Sequence, residues 1–226
     1  MRRAAVILAR VLAYVEAFDL NAQGQVCFSD LVREIGKEFC FQKFPQTLEE
    51  HDLGKGVEFL EGKIGNKPIQ KLAIWDSLIV LETRSNTDEA KAILEEILLW
   101  GATRFGLSYT PGMVDHFAYI SDVTFYSDAP FLAPSPLLTR LASTVSDALS
   151  EIWQEPIRYE PLNLAVGHDP MTRKFGIAPF SITRRAQSRF SANKYFSEAP
   201  LPTSLHISLL EEYEAGIREL YGLASE

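Results

Sequence analysis

IQKLAIWDSLIVLETRSNTDEAKAILEEILLWGATRF, residues 69–105, decides the fold class. Two apolar runs, 69–74 and 78–83, flank Trp75, Asp76 and Ser77, and the turn-prone Asp-Ser between them predicts a β-hairpin. A helix follows directly. Asn86 is placed to cap it, with Glu89 three residues later able to bond back to the cap. Asp88 and Glu89 fall in the first turn, where the helix dipole favours negative charge. Ala90, Ile93, Leu94, Ile97, Leu98 and Phe105 share one face, and Gly106 is placed to end the helix. A tight hairpin running into an amphipathic helix belongs to an α+β protein. A doubly wound parallel sheet would need strand and helix to alternate throughout.

Downstream, Phe117, Tyr119, Val123 and Phe125 alternate with smaller or polar residues, the period of a half-buried strand. Pro130, Pro134 and Pro136 enforce a loop, and Ser135-Pro136 opens a helix because proline at the first helical position loses no needed donor. Leu137, Leu141, Val145, Leu149 and Ile152 are read as its core stripe. Strands are expected near 157–166 and 175–183, with the turn Gly167-His168-Asp169-Pro170 between them. Residues 186–202 read as a loop. A last helix over 204–221 gathers Leu205, Leu209, Tyr213, Ile217 and Leu220 on one face.

Upstream, Met1-Arg2-Arg3 and an apolar run resemble the start of a secretory signal, but Arg10 and Glu16 interrupt it and no small-residue cleavage site follows. The reading adopted is an amphipathic helix with Leu8, Val11, Leu12, Val15 and Phe18 along one face. Ser29 is a candidate cap for a short helix over 30–39. Residues 45–68 form a long connection with one short strand at 57–60. The expected architecture is therefore α+β, with a mixed or largely antiparallel sheet of about five strands, helices packed on it, and a helical N-terminal segment. Residues 1–66 form that segment and its connection, and 67–226 the main domain, unless 1–226 is a single domain. No internal repeat stands out.

The 226 residues are 46% hydrophobic and 23% charged, enough for a packed core without disulfide or metal. Cys27 and Cys40 sit among apolar neighbours and are read as core thiols. Two unpaired cysteines and the absence of a 20-residue apolar run lead to a cytoplasmic protein without membrane spans. There is no Gly-x-x-x-x-Gly-Lys loop, no Gly-x-Gly-x-x-Gly and no Gly-x-Ser-x-Gly elbow, so phosphate cradles and serine nucleophiles lack a signature. His51, His116, His168 and His206 do not fall in ligand spacing, and neither a metal nor a cofactor is expected. His116 and Asp122 lie six residues apart on one expected strand, about 20 Å of chain.

Charge is segregated. Arg173, Lys174, Arg184, Arg185, Arg189 and Lys194 fall between Pro170 and Ser197 with no acidic residue among them. That stretch is +6, leaving −14 for the rest of a chain whose net charge is −8. Phe175, Phe180, Phe190, Tyr195 and Phe196 are interleaved with the cations. Arginine and aromatic residues are enriched at protein interfaces, and the same mixture suits single-stranded nucleic acid. The overall acidity opposes the second use. The sequence thus points to a non-enzymatic interaction or assembly protein, homo-oligomeric or docked on an acidic protein through Arg173, Lys174, Arg184, Arg185, Arg189, Lys194 and Tyr195. A motif-free catalytic site near His116, Asp122 or His168 is the competing expectation.

Overall fold

A computed structural model describes residues 1–172 and 176–223, the side chains of Arg3 and Ala4 excepted. Among the described residues the chain is α+β, with five α-helices and one open, antiparallel sheet of eight strands rather than about five. The strands are β1 (Arg2–Tyr14), β2 (Val57–Ile64), β3 (Lys67–Ile74), β4 (Leu78–Thr83), β5 (His116–Tyr126), β6 (Asn163–Val166), β7 (Phe180–Arg184) and β8 (Lys194–Ala199). The helices are α1 (Ala17–Leu20), α2 (Phe28–Glu38), α3 (Thr87–Phe105), α4 (Pro136–Trp153) and α5 (Thr203–Leu220). Strand order across the sheet is β2-β3-β4-β1-β5-β8-β7-β6.

The hairpin and its helix form as the sequence requires. β3 and β4 pair from Lys71↔Glu82 to Ile74↔Ile79. The Asn86 side chain accepts from the Glu89 amide at 2.8 Å, and α3 ends on Gly106 at φ 76°, a left-handed conformation that favours glycine.

The N-terminal segment is a strand, not a helix. Ala9, Val11, Ala13 and Val15 are buried at every second position, and β1 pairs with β4 from Ala9↔Thr83 to Tyr14↔Leu78. Alanine at two of the four inward positions hides this period, while Leu8 and Leu12 on the other side imitate a helical stripe. Five further expectations are corrected. Helix α2 starts at Phe28 with Cys27 as its cap residue, so Ser29 is inside the helix and its hydroxyl bonds His51 Nδ1 at 3.0 Å instead. Residues 194–199, read as loop, form β8. No residue of α4 is buried, and Leu137, Leu141 and Ile152 are 75%, 59% and 73% exposed. In α5 the inward face is Thr203, His206, Leu210, Glu214 and Ile217, while Leu205, Leu209 and Leu220 are exposed. Both cysteines are exposed as well, so they are not core thiols.

A repeat unseen in the sequence becomes plain in the element order. Strand, helix, three antiparallel strands and helix occur twice, as β1-α2-β2-β3-β4-α3 and as β5-α4-β6-β7-β8-α5, and the strand order of the sheet is palindromic about β1-β5. Residues 78–107 then align with 194–223 without a gap. Glu82, Thr87, Leu94, Glu95, Glu96, Gly106 and Leu107 recur as Glu198, Thr203, Leu210, Glu211, Glu212, Gly222 and Leu223. The equivalence is structural too. Thr87 and Thr203 are the first residues of α3 and α5, and Gly106 and Gly222 both take positive φ just past the ends of those helices.

The chain forms two compact units. One comprises residues 6–121 with 200–204, the other 1–5, 122–199 and the chain from 205 onward. In the first, Phe59, Leu72 and Leu81 of the sheet meet Ile93 and Leu94 of α3 in a core closed by Phe39 and Phe41. Each such side chain contributes about 1.5–3 kcal/mol on burial. In the second, Phe125, Phe131 and Tyr195 form a triangle of rings with centroids 5.0–5.4 Å apart, beside Ile182 and Leu210.

Candidate functional site

A cavity of about 650 Å³ lies within the first unit. Its walls are α2, the β3–β4 hairpin and α3, and the short segment from Glu16 to Val26, including α1, forms its rim. Leu31 and Ile35 of α2, Leu72 of β3 and Leu94, Ile97 and Leu98 of α3 make the interior apolar. The β3–β4 hairpin closes by a Trp75 N–H to Leu78 carbonyl bond of 2.8 Å, and the Asp76 carbonyl accepts from the Ala17 amide at 2.6 Å, tying the rim to the hairpin turn. Asn21 braces the rim by accepting from the Val26 amide at 3.1 Å and donating to its carbonyl at 3.0 Å. Glu16 and Asp76 are the charged residues of the lining, both exposed at the rim. Volume and polarity match a site for one small organic molecule, since such sites run to about 300–1,000 Å³ with apolar walls and few polar groups. Its lining comes from several separate stretches of chain, so no local motif announces it.

The cationic segment is distributed as follows. Arg184 ends β7, half-buried, with its guanidinium donating to Glu160 Oε2 at 2.7 Å and to the Phe190 carbonyl at 3.1 Å. It lies over the rings of Phe190 and Tyr195, 5.1 and 5.2 Å from their centroids. Tyr195 is a core residue, and burial pushes its phenol up, against the pull of Arg184. Arg185 lies over Phe196, and Lys194 over Tyr126. Arg189 is exposed. Arg173 and Lys174 lie outside the described residues. Arg184 and Tyr195 are thus brought together as one stacked, ion-paired group.

The histidines do not converge. His116 opens β5 with its ring 5.8 Å from Tyr14, and Asp122 follows six residues along the same strand. His168 donates from Nδ1 to the Asp169 carbonyl at 2.9 Å, and its Nε2 accepts from the Ile177 amide at 3.2 Å. Among the described residues no three of His, Cys, Asp and Glu gather as metal ligands would. His206 is fully buried in α5, bonded through Nε2 to Ser197 Oγ at 2.8 Å, with Phe180 edge-on. The Ser197 hydroxyl donates to the Ser181 carbonyl at 2.8 Å, which leaves its oxygen to accept from His206. This pair ties β7, β8 and α5 together, with both side chains fully buried.

Among the described residues no helix is long and apolar enough to cross a membrane. No known protein family matches the chain, and no curated protein sequence matches it.

Proposed function

We propose that the protein is a non-catalytic binding protein whose first unit receives one small, mainly apolar molecule between α2, α3 and the β3–β4 hairpin. The observation that carries this reading is the cavity of about 650 Å³ with leucine and isoleucine walls. Proteins pack their interiors with few voids larger than a water molecule, and apolar space of this size favours apolar occupants over water. The carboxylates of Glu16 and Asp76 at the rim favour a ligand whose polar end is cationic or donates hydrogen bonds.

Titration with N-phenyl-1-naphthylamine, a neutral dye that brightens on leaving water, tests the reading. Saturable enhancement is expected, weakened roughly tenfold by Leu31→Phe combined with Ile97→Phe, which fill the cavity from both helices. No enhancement, or enhancement unchanged in the filled variant, would refute it.

A second reading, assembly through segment 173–196, is supported by Arg185 and Lys194 lying on Phe196 and Tyr126 and by the exposure of Arg189. In that reading these cations dock an acidic surface of another protein or of a second copy. Native mass spectrometry of the Arg185→Glu, Arg189→Glu variant should then show loss of an oligomer that the parent chain forms.

A further inference from the structure

The two copies of the repeat each close their second hairpin in the same way. β3–β4 ends on the rung Ile74↔Ile79, followed by the Trp75 to Leu78 bond. β7–β8 ends on the rung Arg184↔Tyr195, followed by an Arg185 N–H to Lys194 carbonyl bond of 3.0 Å. One pair further in, Ala73↔Val80 corresponds to Thr183↔Phe196, and the buried rung Leu72↔Leu81 to Ile182↔Ser197. Ile74 and Ile79 line the apolar cavity of the first unit. Arg184 and Tyr195 line a pocket of about 520 Å³ in the second, bounded by α4 on one side and by Tyr221, just past α5, on another. The duplicated architecture has opened a hollow at the same place twice, and at the matching rung two isoleucines in one copy stand where the other has an arginine and a tyrosine.

We propose that this second pocket is a binding site for a small organic carboxylate with an apolar or aromatic body. The guanidinium is already held in place by Glu160, the Phe190 carbonyl and two rings, so little side-chain freedom remains to be lost on binding. Its Nε–H is buried and has no acceptor among the described residues. Glu160 is shared with Arg158, whose exposed guanidinium lines the same pocket and can donate to a ligand carboxylate, and a hydrogen bond between two charged groups is the strong kind. The charge balance agrees. Arg158 and Arg184 face Glu160, and these three are the charged residues of the lining among those described, for a net positive site. Tyr159, Ile157 and Leu132 supply apolar and aromatic wall for the body of the ligand, and Thr139 and Ser143 of α4 add hydroxyls. The site goes beyond the apolar cavity, and its occupancy does not depend on what that cavity holds.

Calorimetric titration of the full chain with benzoate, benzamide and acetate tests the proposal. Benzoate is expected to bind saturably, with benzamide and acetate each at least about tenfold weaker, because one lacks the charge and the other the ring. Arg184→Gln removes the guanidinium, and Ala142→Phe fills the pocket from the exposed helix α4 while leaving Arg184 and Glu160 untouched. Either is expected to abolish benzoate binding, whereas Ile97→Phe in the first unit leaves it unchanged. The proposal is overturned if benzoate shows no saturation by about 10 mM. Benzamide binding equally well would mean that charge is not read, and acetate binding equally well would mean a bare anion contact. Benzoate binding that persists in Ala142→Phe overturns the pocket even if Arg184→Gln does not fold.

Discussion

Thr87 and Thr203 exchange two hydrogen bonds: the Thr87 amide donates to the Thr203 hydroxyl at 3.1 Å, and the Thr203 amide donates to the Thr87 hydroxyl at 2.8 Å. The two residues open α3 and α5 at matching positions of the repeat, so each helix start supplies the other with an acceptor for a first-turn amide that has no partner within its own helix. Equivalent residues that satisfy one another are the mark of a self-complementary contact. The contact is buried, and Ser121 adds a second donor to the Thr203 hydroxyl at 3.2 Å.

Replacing either threonine by valine keeps the shape and removes the acceptor. Thr87→Val strands the Thr203 amide and is expected to lower stability by about 1–3 kcal/mol. Thr203→Val strands the Thr87 amide and also releases the Ser121 hydroxyl, so its loss should be the larger. Denaturant unfolding of both single variants and the double should show non-additive losses, since the two sites share their bonds. Additive, sub-kilocalorie effects would mean that water replaces the exchange.

Glu214 shows how the copies diverged. It stands where the first copy has Leu98, yet it is buried, bonded by the Ser127 hydroxyl and paired with Arg218 and the Met1 ammonium. Burial alone would raise its carboxyl. The hydrogen bonds from Met1 and Ser127, with the charges of Met1 and Arg218, outweigh that and hold it below the usual glutamate range. A carboxyl lowered in the folded state contributes stability that is present above the unfolded value, about 4.3. That contribution is lost as pH falls through the folded value. The stability difference between the parent chain and Glu214→Gln should therefore be widest near neutrality and shrink in acid below about pH 4. A difference that is flat with pH would show that the carboxylate's charge is not what the site uses.

How much of this was legible in the sequence depends on where the deciding interaction lies. The β3–β4 hairpin and α3 are readable because Asp76, Asn86 and Gly106 act within a few residues of themselves. β1 is not, because its inward side is half alanine and only the partner strand β4 reveals which side is inward. The repeat escapes notice because its seven identities are scattered over thirty positions, most of them outside the apolar pattern that a reader follows. Arg184 and Tyr195 were visible as a cation and an aromatic, but their stacking needs Glu160, which lies 24 residues away beyond the edge strand β6. The apolar cavity has no signature at all, since its walls are ordinary core residues that fail to meet.

Cys27 and Cys40 make the distinction between composition and placement measurable. Apolar neighbours in sequence suggest burial, yet Cys27 precedes the first turn of α2 and Cys40 takes φ 52° just after its end, where both face solvent. An exposed thiol reacts through its thiolate without unfolding. Both should be modified by an aromatic disulfide reagent in the native protein at pH 8, as fast as after denaturation to within about an order of magnitude. Modification that waits for denaturant would return them to the core.

Helix α4 carries the sharpest contrast between pattern and burial. Its stripe of Leu137, Leu141 and Ile152 has the spacing of a core face, yet all three are exposed. Ser135 accepts from the Leu137 amide to cap the helix, and the Ser150 and Ser146 hydroxyls tether the chain that returns beneath it by accepting from the Ile157 and Tyr159 amides. The helix is thus held by its ends and its serines rather than by its leucines. Leu141→Glu should leave stability within about 0.5 kcal/mol of the parent chain, as surface substitutions do. Leu210→Ala, at a fully buried position of α5 in the same unit, should cost about 2–5 kcal/mol. If Leu141→Glu costs as much as Leu210→Ala, the stripe is covered in solution, and a parallel measurement of mass would then show whether a second copy covers it.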